Sequence, residues 1–274
     1  MTDRPHFDLR GSGPVLLVVP GGAGHPMGLD AMTDVLAEHF TVVTYDPLGL
    51  AHGRLGLPVP DQRVQDWSDG AHQVLQETLP EGESAYVLGT SSGGIAALDL
   101  LARHPQRLRH VVAHEPPCVA VLPDGDRQRA MFREVYDTYR ASGLRAAAAR
   151  LAAGLAEQEA GELPAGQPCT RVEELASPMA LFLAHVLVPF TSYVPDLTSL
   201  PRSAPTSAPT TLPAPRPPRL TLAAGADSRG QLPHRTAGLV AERTGSPFVE
   251  FPGGHIGAAS HAVAFAERLL KTLF

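Results

Sequence analysis

Short apolar runs, β-branched and hydrophobic on both alternating faces, recur along this chain and leave few folds open to it. They occupy residues 14–20 (PVLLVVP), 41–46 (TVVTYD), 84–90 (SAYVLGT), 108–115 (LRHVVAHE), 219–225 (RLTLAAG) and 247–253 (PFVEFPG). A strand that buries both faces belongs inside a parallel sheet. Parallel neighbours need crossover connections, and the intervening stretches supply them. LDAMTDVLAEHF, VQDWSDGAHQVLQETL, GGIAALDLLARHP, LPHRTAGLVAERTG and the terminal AASHAVAFAERLLKTLF all space apolar residues at helical intervals. The pattern predicts an α/β fold: a mostly parallel sheet flanked by helices on both faces.

The alternation fails once. Residues 116–218 read first as helices, RQRAMFREVYDTYRASG, LRAAAARLAAGLAEQEAG and RVEELASPMALFLAHVLV. Then comes SLPRSAPTSAPTTLPAPRPPR, whose prolines forbid helix and central strand alike. The expectation is a core built from residues 1–115 and 219–274, interrupted by a helical cap at 116–218 that ends in an extended or disordered proline-rich linker. Such an insertion has no role in the sheet, so its expected place is over one end of it, as a lid.

Charge and composition narrow the partners. A net charge of −6 without a basic stripe argues against nucleic acid and anionic membranes. No apolar run is long enough to span a bilayer, and MTDRPHFDLR lacks the apolar core of an export signal. A cytoplasmic protein acting on a small-molecule substrate is therefore expected. Cys118 and Cys169 are read as free thiols with no metal-ligand spacing around them, and neither a metal nor a cofactor is implied.

GTSSG places Ser91 between Gly89 and Gly93, at the end of a predicted strand and the start of a predicted helix. A serine on so sharp a turn sits in strained backbone, and side chains two residues to either side would collide, so glycines occupy those places. A serine hydroxyl is a poor nucleophile at neutral pH. It needs a base, a carboxylate to orient that base, and donors for the oxyanion.

His255, in the glycine-flanked loop EFPGGHIG beyond the last run, is the candidate base. Other histidines have plainer readings: His110 and His114 belong to a strand, His104 to a helix C-terminus, His72 and His185 to helical stretches. The loop PGGAGH offers oxyanion donors: the N–H of Ser92, directly after the serine, with that of Gly22 or Ala23. His25 in the same loop is a candidate for lining the pocket.

Two acids compete. Asp227 in LAAGADSRG follows the strand before the last, yet if Gly225 ends that strand, Ser228 falls where the carboxylate is normally found. Glu115 in VVAHEPP ends the strand after the serine helix, with Pro116 and Pro117 holding it at the sheet's edge. Both stand as candidates. From the cap, Phe132, Tyr136 and Phe182 are candidates for an apolar substrate lining.

Taken together, these segments resemble the α/β-hydrolase superfamily over essentially the whole chain: PGGAG its oxyanion loop, YDPLG its YDxRG turn, GTSSG its nucleophile elbow and PGGHIG its histidine loop. More narrowly they are similar to a largely actinobacterial group with HEPP after the elbow helix and GxxSRG before the histidine. The resemblance implies Ser91 as nucleophile, His255 as base, Ser92 and Gly22 as oxyanion residues, and the insertion as cap. Pro20 stands where the family usually has histidine. GADS blurs the acid and improves the case for Glu115, because related dehalogenases use a glutamate there. A serine at the elbow, where dehalogenases and epoxide hydrolases carry aspartate, argues against both activities. The implied reaction is cleavage of an ester, thioester or lactone of a small to medium, mainly apolar compound through an acyl-enzyme.

Two alternatives stay open. GAGHPMG, with Asp46 at the end of the next strand, also matches a dinucleotide loop. A nicotinamide-dependent oxidoreductase of the short-chain type needs a tyrosine–lysine pair, however, and the sole lysine is Lys271, while Pro26 sits where free N–H donors are required. A cyclase or lyase of a biosynthetic pathway on the same scaffold would use His255 and Glu115 as acid and base.

Overall fold

In the computed structural model, which describes residues 4–24, 28–54, 56–201 and 217–274, seven strands form one sheet. They are β1 (His6–Arg10), β2 (Val15–Val19), β3 (Thr41–Asp46), β4 (Ala85–Thr90), β5 (Leu108–His114), β6 (Arg219–Gly225) and β7 (Phe248–Phe251). Their order is β1-β3-β2-β4-β5-β6-β7. β1 runs antiparallel to β3, and every other pair is parallel. Strands β2 to β7 are the expected apolar runs. β1 was not expected: HFDLR mixes polar and apolar residues and lies half-buried at the sheet's edge, so it lacks the two-sided apolar signature of the interior strands.

The helices are α1 (Asp30–Leu36), α2 (Val64–Thr78), α3 (Ser92–Arg103), α4 (Gly125–Leu155), α5 (Arg171–Leu175), α6 (Pro178–Leu181), α7 (Leu187–Thr191), α8 (Leu232–Thr244), α9 (Gly257–Ser260) and α10 (Ala262–Leu273). Successive residues of a strand face opposite sides, and the core divides accordingly. Leu17, Val19, Val87 and Val111 point to the layer of α2, α3 and α8, packing with Trp67, Val74, Leu98 and Val240. Leu16, Val18, Leu88 and Val112 point the other way, to α1 and α10, packing with Met32, Leu36, Phe265 and Leu269. Helix α8 starts with Pro233 in its first turn and stops at Gly245, which takes the left-handed conformation (φ 67°).

Between β5 and β6 the described residues carry helices α4 to α7. Helix α4 breaks at Gly143 (φ 78°), where RASG meets LRAA. The insertion has its own apolar interior of Val119, Phe132, Val135, Tyr139, Leu183 and Leu187. Its far end is also fastened to the body. The Phe190 ring meets Trp67 edge-on at 4.7 Å between centroids, and the Tyr193 hydroxyl donates to Asp99 Oδ1 at 2.5 Å. The other Asp99 oxygen accepts from Ser68 Oγ and Arg103 Nε. The proline-rich stretch from 202 to 216 lies outside the described residues. Among those described, no helix is long and apolar enough to cross a membrane.

Candidate functional site

The site grows out of the register of two neighbouring strands. Thr90 on β4 pairs with His114 on β5, so the residues that step off the sheet next, Ser91 and Glu115, leave it side by side. Ser91 N–H donates to His114 O at 2.9 Å and Glu115 N–H to Ala223 O at 2.8 Å, so each residue is tied to the sheet just as it turns away. Both carry positive φ, 51° for Ser91 and 47° for Glu115, in a region non-glycine residues rarely adopt. Among the described residues only Glu157 shares that property outside glycine. Strain held at two adjacent strand ends points to function at this edge.

The turn at Ser91 leaves no room for side chains on its flanks. A Cβ on Gly89 would lie 2.4 Å from Gly93 O, and one on Gly93 would lie 2.2 Å from Val19 O. These contacts are the physical content of the G-x-S-x-G spacing.

His255 hangs in the loop between β7 and α9 and reaches back to this edge. Its Nδ1 donates to Glu115 Oε2 at 2.7 Å, and its Nε2 lies 3.1 Å from Ser91 Oγ, placed to accept the hydroxyl proton. Glu115 Oε1 accepts from Gly225 N–H at 2.8 Å. Both carboxylate oxygens are thus engaged, and Glu115 has no solvent exposure. Burial alone would raise its pKa. The hydrogen bond and charge of His255, the neighbouring His114 and the Gly225 N–H outweigh that cost and hold the carboxyl below its ordinary value.

Behind this relay lies His114, fully buried between Phe251 and Phe265, with no hydrogen-bond partner on either ring nitrogen among the described residues. Burial holds its pKa down at about 4, so it stays neutral near pH 7. Cys118, three residues beyond Glu115, is buried and has its thiol pushed up to about 12, which keeps it protonated and unreactive near pH 7.

Of the two acids foreseen from sequence, only Glu115 meets His255. Asp227 is exposed, in the turn after β6, where its backbone N–H donates to Gly253 O. The reason is the step count: Gly225 closes β6, and the inward place after it goes to Ser228, fully buried with its Oγ unpaired among the described residues. The Gly225 N–H, which grips the second oxygen of Glu115, has no sequence signature, because only the pairing of β5 with β6 brings it there.

Gly22 and Ala23 lie buried in the turn after β2, and Ser92 opens α3 directly behind Ser91. A Cβ on Gly22 would fall 2.2 Å from a ring carbon of Phe182 and 3.0 Å from Ser92 Oγ. Phe182 therefore roofs this loop from the insertion, on a π-turn spanning Phe182–Val186. The other two lining candidates are placed elsewhere. Phe132 is 2 % exposed inside the insertion's own core, because α4 turns that face toward Leu183 and Leu187. Tyr136 is half-buried on α4 with the Arg133 guanidinium over its ring. His25 lies outside the described residues.

Among the described residues no group of three His, Cys, Asp or Glu side chains is set to hold a metal ion. Asp46, the acid a dinucleotide loop would require, is buried and turned into its own loop, accepting from Ala51 N–H at 2.8 Å and facing His52.

A family model described as the alpha/beta hydrolase fold matches residues 14–158. An uncharacterized hydrolase of Bacillus subtilis, YraK, is 30% identical over 265 residues, covering 96% of this chain and 90% of its own. Solved structures share the architecture at low identity. A thermophilic esterase from Thermogutta terrifontis superimposes with a TM-score of 0.63 at 16% identity, covering 98% of this chain and 92% of its own. A structure from Nitrososphaera gargenis, from work on carboxylesterases, gives 0.64 at 15%, covering 98% and 93%.

Proposed function

This chain belongs to the alpha/beta hydrolases, and from that premise we propose that it is a serine hydrolase that cleaves esters, thioesters or lactones through an acyl-enzyme. One observation carries the reading: a continuous line of hydrogen bonds from Glu115 through His255 to Ser91, 2.7 Å and 3.1 Å long, ending on a strained serine at a helix N-terminus.

In this reading His255 Nε2 takes the proton of Ser91 Oγ as that oxygen bonds to the substrate carbonyl carbon. Glu115 keeps the Nδ1 proton in place, so Nε2 is the free base, and it stabilises the imidazolium that forms. The carbonyl oxygen, now negative, is met by the N–H groups of Ser92 and Gly22, with the N-terminal end of α3 behind them. His255 returns its proton to the leaving oxygen or sulfur, and the bond from the carbonyl carbon to that atom breaks. Water then repeats the sequence on the acyl-enzyme, releasing the acid and free Ser91. The Phe182 ring over Gly22 supports an apolar substrate of small to medium size. The esterase and carboxylesterase names among the structural neighbours point the same way, while the shared fold alone leaves the substrate open.

The test is covalent. A fluorophosphonate should label the folded protein at one site and fail to label Ser91→Ala, and p-nitrophenyl esters of graded chain length should be hydrolysed by the wild type only. Absence of labelling on folded protein would refute the reading and favour acid–base chemistry without a serine adduct.

A further inference from the structure

The side chain of Ser92 is not needed for its backbone N–H to serve as a donor, yet the fold brings it to the same spot. Ser92 is the first residue of α3 and 2 % exposed. Its Oγ lies 3.0 Å from the point where a Cβ on Gly22 would sit, a point that the Phe182 ring edge approaches to 2.2 Å and 2.4 Å. Gly22, the hydroxyl and the aromatic ring thus converge at the loop that would supply one of the proposed oxyanion donors.

Several other buried hydroxyls are spoken for: Thr221 faces His110, Ser68 donates to Asp99, and Thr236 and Thr244 donate to backbone carbonyls, whereas Thr44 and Thr90, like Ser92, show no partner among the described residues. Ser228 Oγ is unpaired but sealed from solvent. For Ser92 Oγ no hydrogen-bond partner exists among the described residues, and it is not among the polar atoms sealed off from solvent without one. A nearly buried hydroxyl beside Gly22, with its donor unused, is poised for an acceptor that arrives with the substrate. The local field favours that acceptor being negative, since Ser92 opens α3 and the helix N-terminus carries partial positive charge.

We propose that the Ser92 hydroxyl is a third oxyanion donor, catalytic in its own right beside the two backbone N–H groups. This rests on the serine-hydrolase reading above. The hydroxyl rotates about one bond, so it follows the carbonyl oxygen as the carbon becomes tetrahedral and donates most strongly once the charge has developed. Its contribution therefore falls on kcat.

Ser92→Ala removes the hydroxyl and keeps the N–H. The expected result is a fall in kcat on the order of 10²-fold for a p-nitrophenyl ester at nearly unchanged KM. Affinity for an alkyl boronic acid, whose tetrahedral adduct mimics the oxyanion, should fall by a similar factor. Ser91 should still take a fluorophosphonate to completion, more slowly, and the melting temperature should stay near wild type. Ser92→Cys, which keeps the volume with a weaker donor, should lie between the two and gives the same reading if the alanine variant fails to fold. A kcat within about twofold of wild type in Ser92→Ala, or in Ser92→Cys should the alanine variant fail to fold, with Ser91 labelling normally, would overturn the third donor while leaving the serine-hydrolase reading intact. Failure of the wild type to label at Ser91 would bring down both.

Discussion

Replacing Glu115 with glutamine tests the relay at its least exposed member. The site presents two donors to that carboxylate: Gly225 N–H at 2.8 Å on one oxygen and His255 Nδ1 at 2.7 Å on the other. A glutamine offers one oxygen and one NH2 group, so it cannot accept from both. The Gly225 donor belongs to the backbone and cannot change, and leaving it buried without an acceptor would cost about 1–3 kcal/mol. The imidazole can change, because its single proton moves between nitrogens. The glutamine oxygen should therefore face Gly225 and its NH2 should face Nδ1, which drives the histidine proton to Nε2. A protonated Nε2 facing Ser91 is no base. The loss should approach that of a triad locked in the wrong tautomer, about 10³- to 10⁴-fold in kcat, or ~4–5.5 kcal/mol, with little change in KM. Fold and stability should survive, since the shape is kept and a buried charge is removed. Steady-state kinetics on a p-nitrophenyl ester, run beside Asp227→Asn, make the measurement. Asp227 is exposed and should lose less than about twofold. If Glu115→Gln keeps more than a tenth of wild-type kcat, or if Asp227→Asn is the crippled variant, the relay described here is wrong.

Three further outcomes follow from other parts of the structure. Gly22→Ala should drive the Phe182 ring off the loop after β2 and cost roughly 1–3 kcal/mol in stability along with activity; Phe182→Ala in the same chain should restore much of the stability, a coupling readable in a denaturant double-mutant cycle. Burial holds His110 and His114 at about 4 when folded, below the ordinary histidine value of 6.5, so the unfolded chain binds the extra protons. Their contribution is whole above pH 6.5 and drains away as pH falls to 4, about 3 kcal/mol for each, visible as a falling urea midpoint that His114→Leu should flatten in part. Tyr193→Phe should strip one partner from buried Asp99 and lower stability by about 1–3 kcal/mol, with kcat nearly unchanged because the residue fastens the insertion far from Ser91.

How much of this was legible beforehand depended on whether a feature is local. The interior strands announce themselves, because a chain such as VLLVV buries every residue and nothing else accounts for such a run. The elbow is legible for the same reason: its glycines are forced by contacts within a few residues. The choice between Glu115 and Asp227 is not local. It turns on where β6 ends and which residue then points inward, and a single step decides between buried Ser228 and exposed Asp227. Among the cap aromatics, helical spacing marks Phe132 and Phe182 equally as apolar face residues. It does not say that α4 spends its face on the insertion's own core, while Phe182, where α6 gives way to the π-turn at Phe182–Val186, meets Gly22. β1 escaped notice because an edge strand needs no apolar excess.

The pairing of Thr90 with His114 has a wider reach than geometry at rest. Ser91 and Glu115 are each the first residue past a rung of the same ladder, so their spacing is inherited from interstrand hydrogen bonds rather than from any loop. Lengthening, trimming or exchanging the hundred or so residues that separate β5 from β6 need not disturb the alignment, whereas deleting one residue within either strand would ruin it. A lineage with this arrangement is free to remodel its roof for new substrates while the machinery beneath keeps its setting.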